Sequence, residues 1–158
     1  MEFRLAKKQE FDSVRDLYWT LIDETSHLPS FPHWKKGEHP SDEWLMDSLI
    51  KFQLFVLEEN GKILASVILN NEANESYQLV NWSREVPDEK ILFIHVLAVS
   101  PKHAGKGLGT KMMQYILDYA KKTGMQAVRL DVISNNSSAE HLYQKMGFRF
   151  VQTQRLYY

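Results

Sequence analysis

The chain has 158 residues, with 19 Lys and Arg against 20 Asp and Glu and a formal net charge of −1. This length predicts a single domain over residues 1–158, and the balanced charge excludes the strongly basic surface that would collect nucleic acid. Cysteine is absent, which excludes a disulfide framework, a thiolate metal site and a cysteine nucleophile.

The first predicted elements are two helices joined by a long loop. Apolar residues recur at steps of three and four in residues 11 to 22, which predicts a helix with one buried face. The segment "SHLPSFPHWKKGEHPS" contains three prolines and a glycine, so a loop is expected there. Ser41 is a candidate N-cap for a second helix, whose buried side is expected to carry Leu45, Leu49 and Phe52. The N-terminal third is thus predicted to be helical.

Strand patterns begin after the second helix. Asn60 and Gly61 separate two apolar runs, and this pair favours the tight turn of an antiparallel hairpin. The run "ILFIHVLAV", residues 91 to 99, is apolar almost throughout, as a strand covered on both faces should be. It is predicted to lie at the centre of the sheet.

The C-terminal half alternates strands and helices. The apolar stripe of its first helix is Leu108, Met112, Ile116 and Ala120. That helix is predicted to end near Gly124, and "AVRLDVI" follows as a strand. Ser137 and Glu140 form a capping box that opens a last helix ending at Gly147. Two parallel strands joined by a helical crossover are the simplest arrangement, and "FRFVQTQRLYY" closes the chain as one or two strands.

The turn between the central strand and the next helix, "SPKHAGKGLG", contains three glycines in five residues. Glycine lets a ligand approach the backbone closely, and the first N–H groups of a helix attract an anion, so a phosphate is the natural ligand. A P-loop and a dinucleotide-binding fingerprint each require a glycine where Thr110 stands, so neither pattern fits. A coenzyme A site is the third phosphate-binding design.

Two segments, "LAVSPKHAGKGLG" and "NNSSAEHLYQKMGF", resemble the GNAT superfamily of N-acetyltransferases. The family pattern is a strand ending in L-x-V-x-P, then [QR]-x-x-G-x-[GA] at a helix start, then N-x-x-A-x-x-L-Y-x-x-x-G-F. The resemblance implies an α/β (α+β) fold with a mixed, mostly antiparallel sheet, a central splayed pair of parallel strands and about four helices. It also implies acetyl-CoA as cosubstrate and no metal.

The resemblance assigns a set of coenzyme-binding residues. These are Leu97, Ala98, Val99, Ala104, Gly105, Lys106, Gly107, Leu108, Gly109, Thr110, Asn136, Ala139 and Tyr143. The backbone of Leu97 and Val99 is expected to bind the pantetheine arm and the thioester oxygen. Ala104 departs from the family pattern, because its side chain cannot reach a phosphate; Lys102, His103 or Lys106 are candidates for the missing charge.

Two side chains are candidates for proton transfer. Tyr143 matches the family tyrosine that returns a proton to the departing thiolate, and a phenol is able to donate to a sulfur anion. Its alternative role is a core aromatic beside Leu142 and Met146. His95 lies on the central strand, and its ordinary pKa near 6.5 suits removal of a proton from an amine. Its alternative role is a core histidine with satisfied hydrogen bonds.

The sequence therefore predicts an acetyl-CoA-dependent N-acetyltransferase, in which a primary amine attacks directly in a ternary complex. The alternative is a non-catalytic domain that binds acyl-CoA as a sensor. The acceptor is a small-molecule or peptide amine, and the loop "PSFPHWKKGEHP" is expected to influence its selection, with Phe31, Trp34 and Trp82 as pocket or packing residues. The six-residue spacing of His27, His33 and His39 matches no standard metal motif.

Location and assembly are predicted only in outline. No apolar run reaches the roughly 20 residues that cross a bilayer, and the N-terminal segment lacks a signal-peptide core. A soluble cytoplasmic protein without a membrane partner is therefore expected. The terminal strand would offer an edge that a second copy could pair with, so a homodimer is a further expectation.

Overall fold

The computed structural model describes residues 1–28, 34–72, 86–103, 105–130 and 143–147. Three of the predicted coenzyme-binding residues, Ala104, Asn136 and Ala139, lie outside these ranges. The capping box at Ser137 and Glu140 and the predicted terminal strand also lie outside them.

The described residues form one five-stranded sheet and three long helices. The strands are β1 (Glu2–Leu5), β2 (Leu54–Glu59), β3 (Lys62–Asn70), β4 (Ile91–Val99) and β5 (Ala127–Arg129). The helices are α1 (Phe11–Thr25), α2 (Asp42–Ile50) and α3 (Leu108–Lys122), and residues 143 to 145 are helical as well. In the described ranges no helix has the length and apolar character needed to cross a bilayer.

The strands follow one another in the sheet in the order β1-β2-β3-β4-β5. Neighbouring strands are antiparallel except for β4 and β5, which run parallel through the pairs Ile91–Ala127, Leu92–Val128 and Phe93–Arg129. The mixed, mostly antiparallel fold and the central position of residues 91 to 99 are therefore confirmed. The described β4–β5 pairing covers only the first third of β4.

The strand β1 contradicts the prediction that the N-terminal third is helical. Four residues are too few to show a period, so nothing in "EFRL" distinguishes a strand from a segment that leads into a helix. Long-range contacts hold it instead: β1 pairs with β2, and the Phe3 ring stacks on Phe55 and Tyr115 at 5.3 and 5.5 Å. Its Arg4 guanidinium also binds the Glu10 carboxylate at 2.8 and 2.9 Å, just before α1.

The helix α2 begins as predicted and ends earlier. The Ser41 side chain accepts a hydrogen bond from the Trp44 backbone N–H at 3.0 Å, which confirms the N-cap. Leu45 and Leu49 are buried, but Phe52 is 75% exposed, so its predicted place on the buried side is wrong. The helix ends at Ile50, and Phe52 adopts a left-handed backbone (φ 60°) that turns its ring away from the core.

The hairpin between β2 and β3 has the predicted turn. Asn60 and Gly61 both have positive φ, 53° and 78°, as the two central residues of a type I′ turn require. The turn lets both strands run on as buried central strands, with Leu54 opposite Ile68. A bulge between Leu57 and Glu58 shifts the register between the turn and these buried pairs.

Two apolar clusters cover the two sides of the sheet. On one side the α3 stripe, Leu108, Met112, Ile116 and Ala120, is buried as predicted and packs together with Met113. On the other side α1 and α2 contribute Val14, Leu17, Tyr18, Leu45 and Leu49. We call these the α3 side and the α1/α2 side. Because the connection from β4 to β5 passes through α3, the predicted parallel crossover is confirmed.

Candidate active site

The central strand β4 is interrupted by a bulge. His95 pairs with Ile68 of β3 and Ala98 pairs with Ser66, so Val96 and Leu97 together stand opposite Val67 alone. Val96 has a positive φ of 46°, which is costly for a β-branched residue. A bulge bends its strand and redirects the residues that follow it. The carboxyl end of β4 therefore departs from the regular pairing of the strand.

A buried tyrosine holds this bulge in place. The Tyr18 hydroxyl donates to the Val96 carbonyl at 2.6 Å, across 78 residues of chain. Tyr18 is fully buried, and burial raises the pKa of its phenol well above the ordinary value of 10.0. The hydroxyl therefore stays protonated and continues to donate at any physiological pH.

The predicted pantetheine-binding residues lie at this bulged end. Leu97 and Val99 are half-buried and pack on the α3 side, whereas Ala98 is buried on the α1/α2 side. Val99 and Ala98 still pair with Ala65 and Ser66 of β3. On its other edge, β4 pairs with β5 only through residues 91 to 93, so the described pairing ends before Leu97.

The glycine turn follows directly. Residues Pro101–His103 form one short 3₁₀ turn, and Gly107 then serves as the N-cap of α3 with a left-handed backbone (φ 71°). Gly105 and Gly107 are exposed, and a Cβ built on either would meet no heavy atom within 4 Å, so the backbone here is open to a ligand. Because glycine has no side chain, Gly107 cannot cap the first N–H groups of α3.

The other predicted residues of the turn differ in how far they are buried. Gly109 and Thr110 are half-buried and Leu108 is buried, so the side chain of Leu108 belongs to the core. Lys102 and Lys106 are exposed. The His103 ring instead lies beside Ser100, with Nδ1 at 3.3 Å from the hydroxyl oxygen.

His95 occupies a polar and aromatic site on the α1/α2 side. Its Nε2 lies 2.8 Å from Oδ1 of Asn70, and its ring meets the Trp44 ring edge-on at 5.8 Å. Burial lowers the pKa of His95 below the ordinary 6.5; a backbone hydrogen bond and the charge of Glu72 raise it in part, and His39 lowers it. The ring is therefore neutral at pH 7 and able to accept a proton.

Part of the predicted selectivity loop packs near this histidine. His39 stacks on Trp44 at 5.5 Å, and burial lowers its pKa. Trp34 meets the Tyr18 ring edge-on at 5.7 Å. Phe31, His33 and Trp82 lie outside the described residues, and the ranges that are described contain no group of three metal-ligating side chains.

Comparison with known proteins agrees with this geometry. The model of the Acetyltransferase (GNAT) family matches residues 12–148. This chain belongs to the GNAT acetyltransferase family. The match contains the bulged strand, the glycine turn and α3, so these features lie within the family domain.

Individual GNAT relatives are moderately similar. A Methanocaldococcus jannaschii protein named as an uncharacterised N-acetyltransferase is 32% identical over 148 residues, which cover 92% of this chain and 59% of that protein. The ribosomal protein bS18 alanine N-acetyltransferase of Escherichia coli is 29% identical over 139 residues, 85% of this chain and 83% of that enzyme. The chain spans less than two thirds of the first two curated relatives it matches, 59% and 62%.

The fold is similar to that of solved GNAT structures. The crystal structure of a GNAT family acetyltransferase from Streptococcus agalactiae superposes with a TM-score of 0.80 at 21% identity, covering 95% of this chain and 86% of that one. At this identity the likeness establishes the GNAT fold.

The structure places the two candidate proton-transfer residues on different sides of the sheet. Tyr143 is helical and half-buried, and it packs with Met146 against the α3-side cluster. His95 faces Trp44 on the α1/α2 side.

Sequence reasoning missed three residues that shape the site. Asn70 and Trp44 contact His95, and Tyr18 holds the bulge. Asn70 did carry a signal, because it is a polar residue that ends the apolar run "ILASVILN". Tyr18 carried none, since its ring fits the apolar stripe of α1 and only the fold shows where its hydroxyl lies.

Proposed function

We propose that this chain is an acetyl-CoA-dependent N-acetyltransferase, in which a primary amine attacks the thioester directly in a ternary complex. The observation that supports this most strongly is the bulged end of β4 followed by the open glycine turn at the start of α3. The first feature exposes strand backbone to an extended arm, and the second offers helix N–H groups to a phosphate. Coenzyme A carries both groups in one molecule.

The residues fit such a cosubstrate. The backbone of Leu97 and Val99 would bind the pantetheine amides, and residues 105 to 110 would bind the pyrophosphate. Gly105 and Gly107 are suited to this because nothing described lies within 4 Å of where a Cβ would stand. Lys102 and Lys106 would supply the positive charge that Ala104 lacks. Asn136 and Ala139 stay predictions from the family motif.

The acceptor must lose a proton before it attacks. An alkylammonium with a pKa near 10.4 is neutral in only about one molecule in a few thousand at pH 7, so a base is required. His95 suits this task because its ring is half-buried and its lowered pKa keeps it neutral. The amine nitrogen then forms a bond to the thioester carbonyl carbon and the C–S bond breaks.

The departing thiolate needs a proton in return. Tyr143 is our candidate donor, because it lies on the α3 side, where Leu97 and Val99 also pack. A phenol that donates to sulfur there would regain its proton from water after coenzyme A leaves. If Tyr143→Phe acetylates a good acceptor at the wild-type rate, this role is wrong.

The acceptor is a small-molecule or peptide amine that approaches from the α1/α2 side. Trp34, His39 and Trp44 supply aromatic surface there, and they connect the predicted selectivity loop to His95. The Escherichia coli relative is named for an alanine of a ribosomal protein, so peptide N-termini are the first acceptors to test. The cytoplasmic location and the homodimer stay predictions.

The test is release of the coenzyme A thiol from acetyl-CoA in the presence of a panel of peptides, amino acids, polyamines and aminoglycosides. We expect at least one amine to raise the rate well above hydrolysis, with the acetylated amine detected by mass. If every amine leaves the rate at the hydrolysis level while acetyl-CoA still binds, the sensor alternative is correct.

A further inference from the structure

We propose that Asn70 is a positioning residue that fixes the tautomer of His95, so that Nε2 carries the proton and Nδ1 is the atom that accepts one from the acceptor amine. The tautomer assignment stands on the geometry alone. Its role in the reaction rests on the proposed function, in which His95 is the base.

The orientation of the Asn70 amide is settled by the backbone. Its Oδ1 lies 3.0 Å from the backbone nitrogen of Glu72, two residues further along the chain. A backbone N–H is only a donor, so the side-chain atom that it meets must be the amide oxygen and not the amide nitrogen. The usual ambiguity between the two ends of an asparagine side chain therefore does not arise here.

The amide oxygen in turn determines where the His95 proton lies. The same Oδ1 stands 2.8 Å from Nε2 of His95. An amide oxygen is only an acceptor, so a hydrogen bond at this distance requires a proton on Nε2. A neutral imidazole has one proton, and the lone pair is then on Nδ1.

The rest of the Asn70 side chain is held as firmly. Asn70 is 8% exposed, and its Nδ2 donates to Oε1 of Gln53 at 3.3 Å. Gln53 is itself anchored, because its backbone N–H bonds the Ser48 carbonyl and its carbonyl accepts from Leu69, both at 2.9 Å. Rotating the amide would break these contacts together, so the tautomer is set before any ligand arrives.

This arrangement matches what a base in this site needs. When Nδ1 takes a proton from the acceptor, the ring becomes a cation that still donates from Nε2 to the Asn70 oxygen. The oxygen stabilises that cation without taking up a proton. The groups that act on the ring from its surroundings are Glu72, whose backbone hydrogen bond and charge both favour the cation, and His39, which opposes it.

The tautomer is tested without turnover by long-range ¹H–¹⁵N correlation spectra, which distinguish a protonated ring nitrogen from one that carries a lone pair. The His95 signals are assigned by their loss in His95→Gln, and spectra are recorded above the pKa. We expect a protonated Nε2 in the wild type and a mixture of tautomers in Asn70→Ala. Asn70→Asp keeps an acceptor oxygen and should restore the wild-type tautomer. A protonated Nδ1, or a mixture, in the wild type overturns the proposal.

The matched control is Asn71→Ala. Asn71 is the same residue type one position on, and its amide donates to the Ile91 carbonyl at 2.6 Å instead of meeting His95. We expect the His95 spectrum of this variant to be that of the wild type. A change of tautomer equal to that in Asn70→Ala would mean that the end of β3 and not the Asn70 amide decides, and would overturn the proposal.

Kinetics test the role in the reaction. With a good acceptor, we expect Asn70→Ala to lower kcat about tenfold with the KM for acetyl-CoA unchanged, and Asn71→Ala to keep both. If His95→Gln loses activity and Asn70→Ala does not, the positioning role is wrong. If His95→Gln keeps the wild-type kcat, the base role in the proposed function is wrong, and the spectra still decide the tautomer.

Discussion

The two sides of the sheet bury different kinds of side chain. On the α3 side the buried residues of the cluster are all apolar, and Met112, Met113 and Ile116 have no exposed surface at all. On the α1/α2 side the same sheet buries the Tyr18 phenol and the Asn70 amide and half-buries the His95 ring. Apolar packing is not directional, whereas each of these polar groups needs a partner at a defined distance. The α3-side core is therefore apolar throughout, whereas the α1/α2 side combines an apolar core with polar groups held at defined distances.

The largest effect on stability is expected on the α3 side. Met112→Ala removes a fully buried side chain and leaves a cavity, so we expect it to cost about 2–5 kcal/mol of unfolding free energy. Denaturant unfolding measures the loss. Gln114→Ala, on the exposed face of the same helix, should change stability by less than about 0.5 kcal/mol. Equal losses for both variants would show that α3 does not carry the core.

The largest effect on activity is expected on the α1/α2 side. His95→Gln should lower kcat about a hundredfold, because the ammonium of the acceptor would lose its base. Burial lowers the pKa of His95, so the ring becomes protonated, and the rate falls, only below the ordinary 6.5. A pH–rate profile with its acid limb below about pH 6.5 in the wild type, and no such limb in His95→Gln, is the expected result. An unchanged acid limb in the variant excludes His95 as the base.

The lowered pKa of His95 also makes the stability of the fold depend on pH. The unfolded chain binds a proton at His95 at a higher pH than the folded chain does, so the favourable contribution of neutral His95 is complete above the ordinary pKa. It is lost as the pH falls through the lowered, folded-state value. Acid should therefore weaken the wild-type fold more than it weakens His95→Gln.

A smaller effect is expected at the bulge. Tyr18→Phe leaves the Val96 carbonyl without its 2.6 Å donor, and we expect it to cost about 1–3 kcal/mol and to raise the KM for acetyl-CoA. Tyr119→Phe is the matched control, because the Tyr119 ring packs edge-on against Phe55 at 4.9 Å on the α3 side. If the two variants behave alike, the hydroxyl of Tyr18 does not hold the bulge.

The two sides also differ in how far the sequence predicts them. The stripe from Leu108 to Ala120 follows the helical period, and the turn at Asn60 and Gly61 follows from backbone sterics, so local rules were sufficient. The bulge at Val96 depends on a tyrosine 78 residues away, and the proposed His95 tautomer depends on Asn70 of the neighbouring strand β3. Local periodicity carries no information about such pairs, and the same limit hid β1.

The glycine turn lies between these cases. Its glycines and their place before α3 were predicted from spacing, and the family motif supplied the ligand. The structure adds that Gly105 and Gly107 are exposed with open backbone. Lys102 and Lys106, the proposed sources of the charge that Ala104 lacks, are exposed, and no sequence pattern fixes where such side chains point.

The most direct test of the proposed cosubstrate site is thermal unfolding of the wild-type protein with and without acetyl-CoA, with sodium acetate as the control. A ligand at a hundred times its dissociation constant adds about 2.7 kcal/mol, which raises the Tm of a domain of this size by several degrees. We expect this rise with acetyl-CoA and none with acetate. An unchanged Tm at millimolar acetyl-CoA would contradict it, because the bulged strand and the glycine turn would then form the fold without binding the cosubstrate.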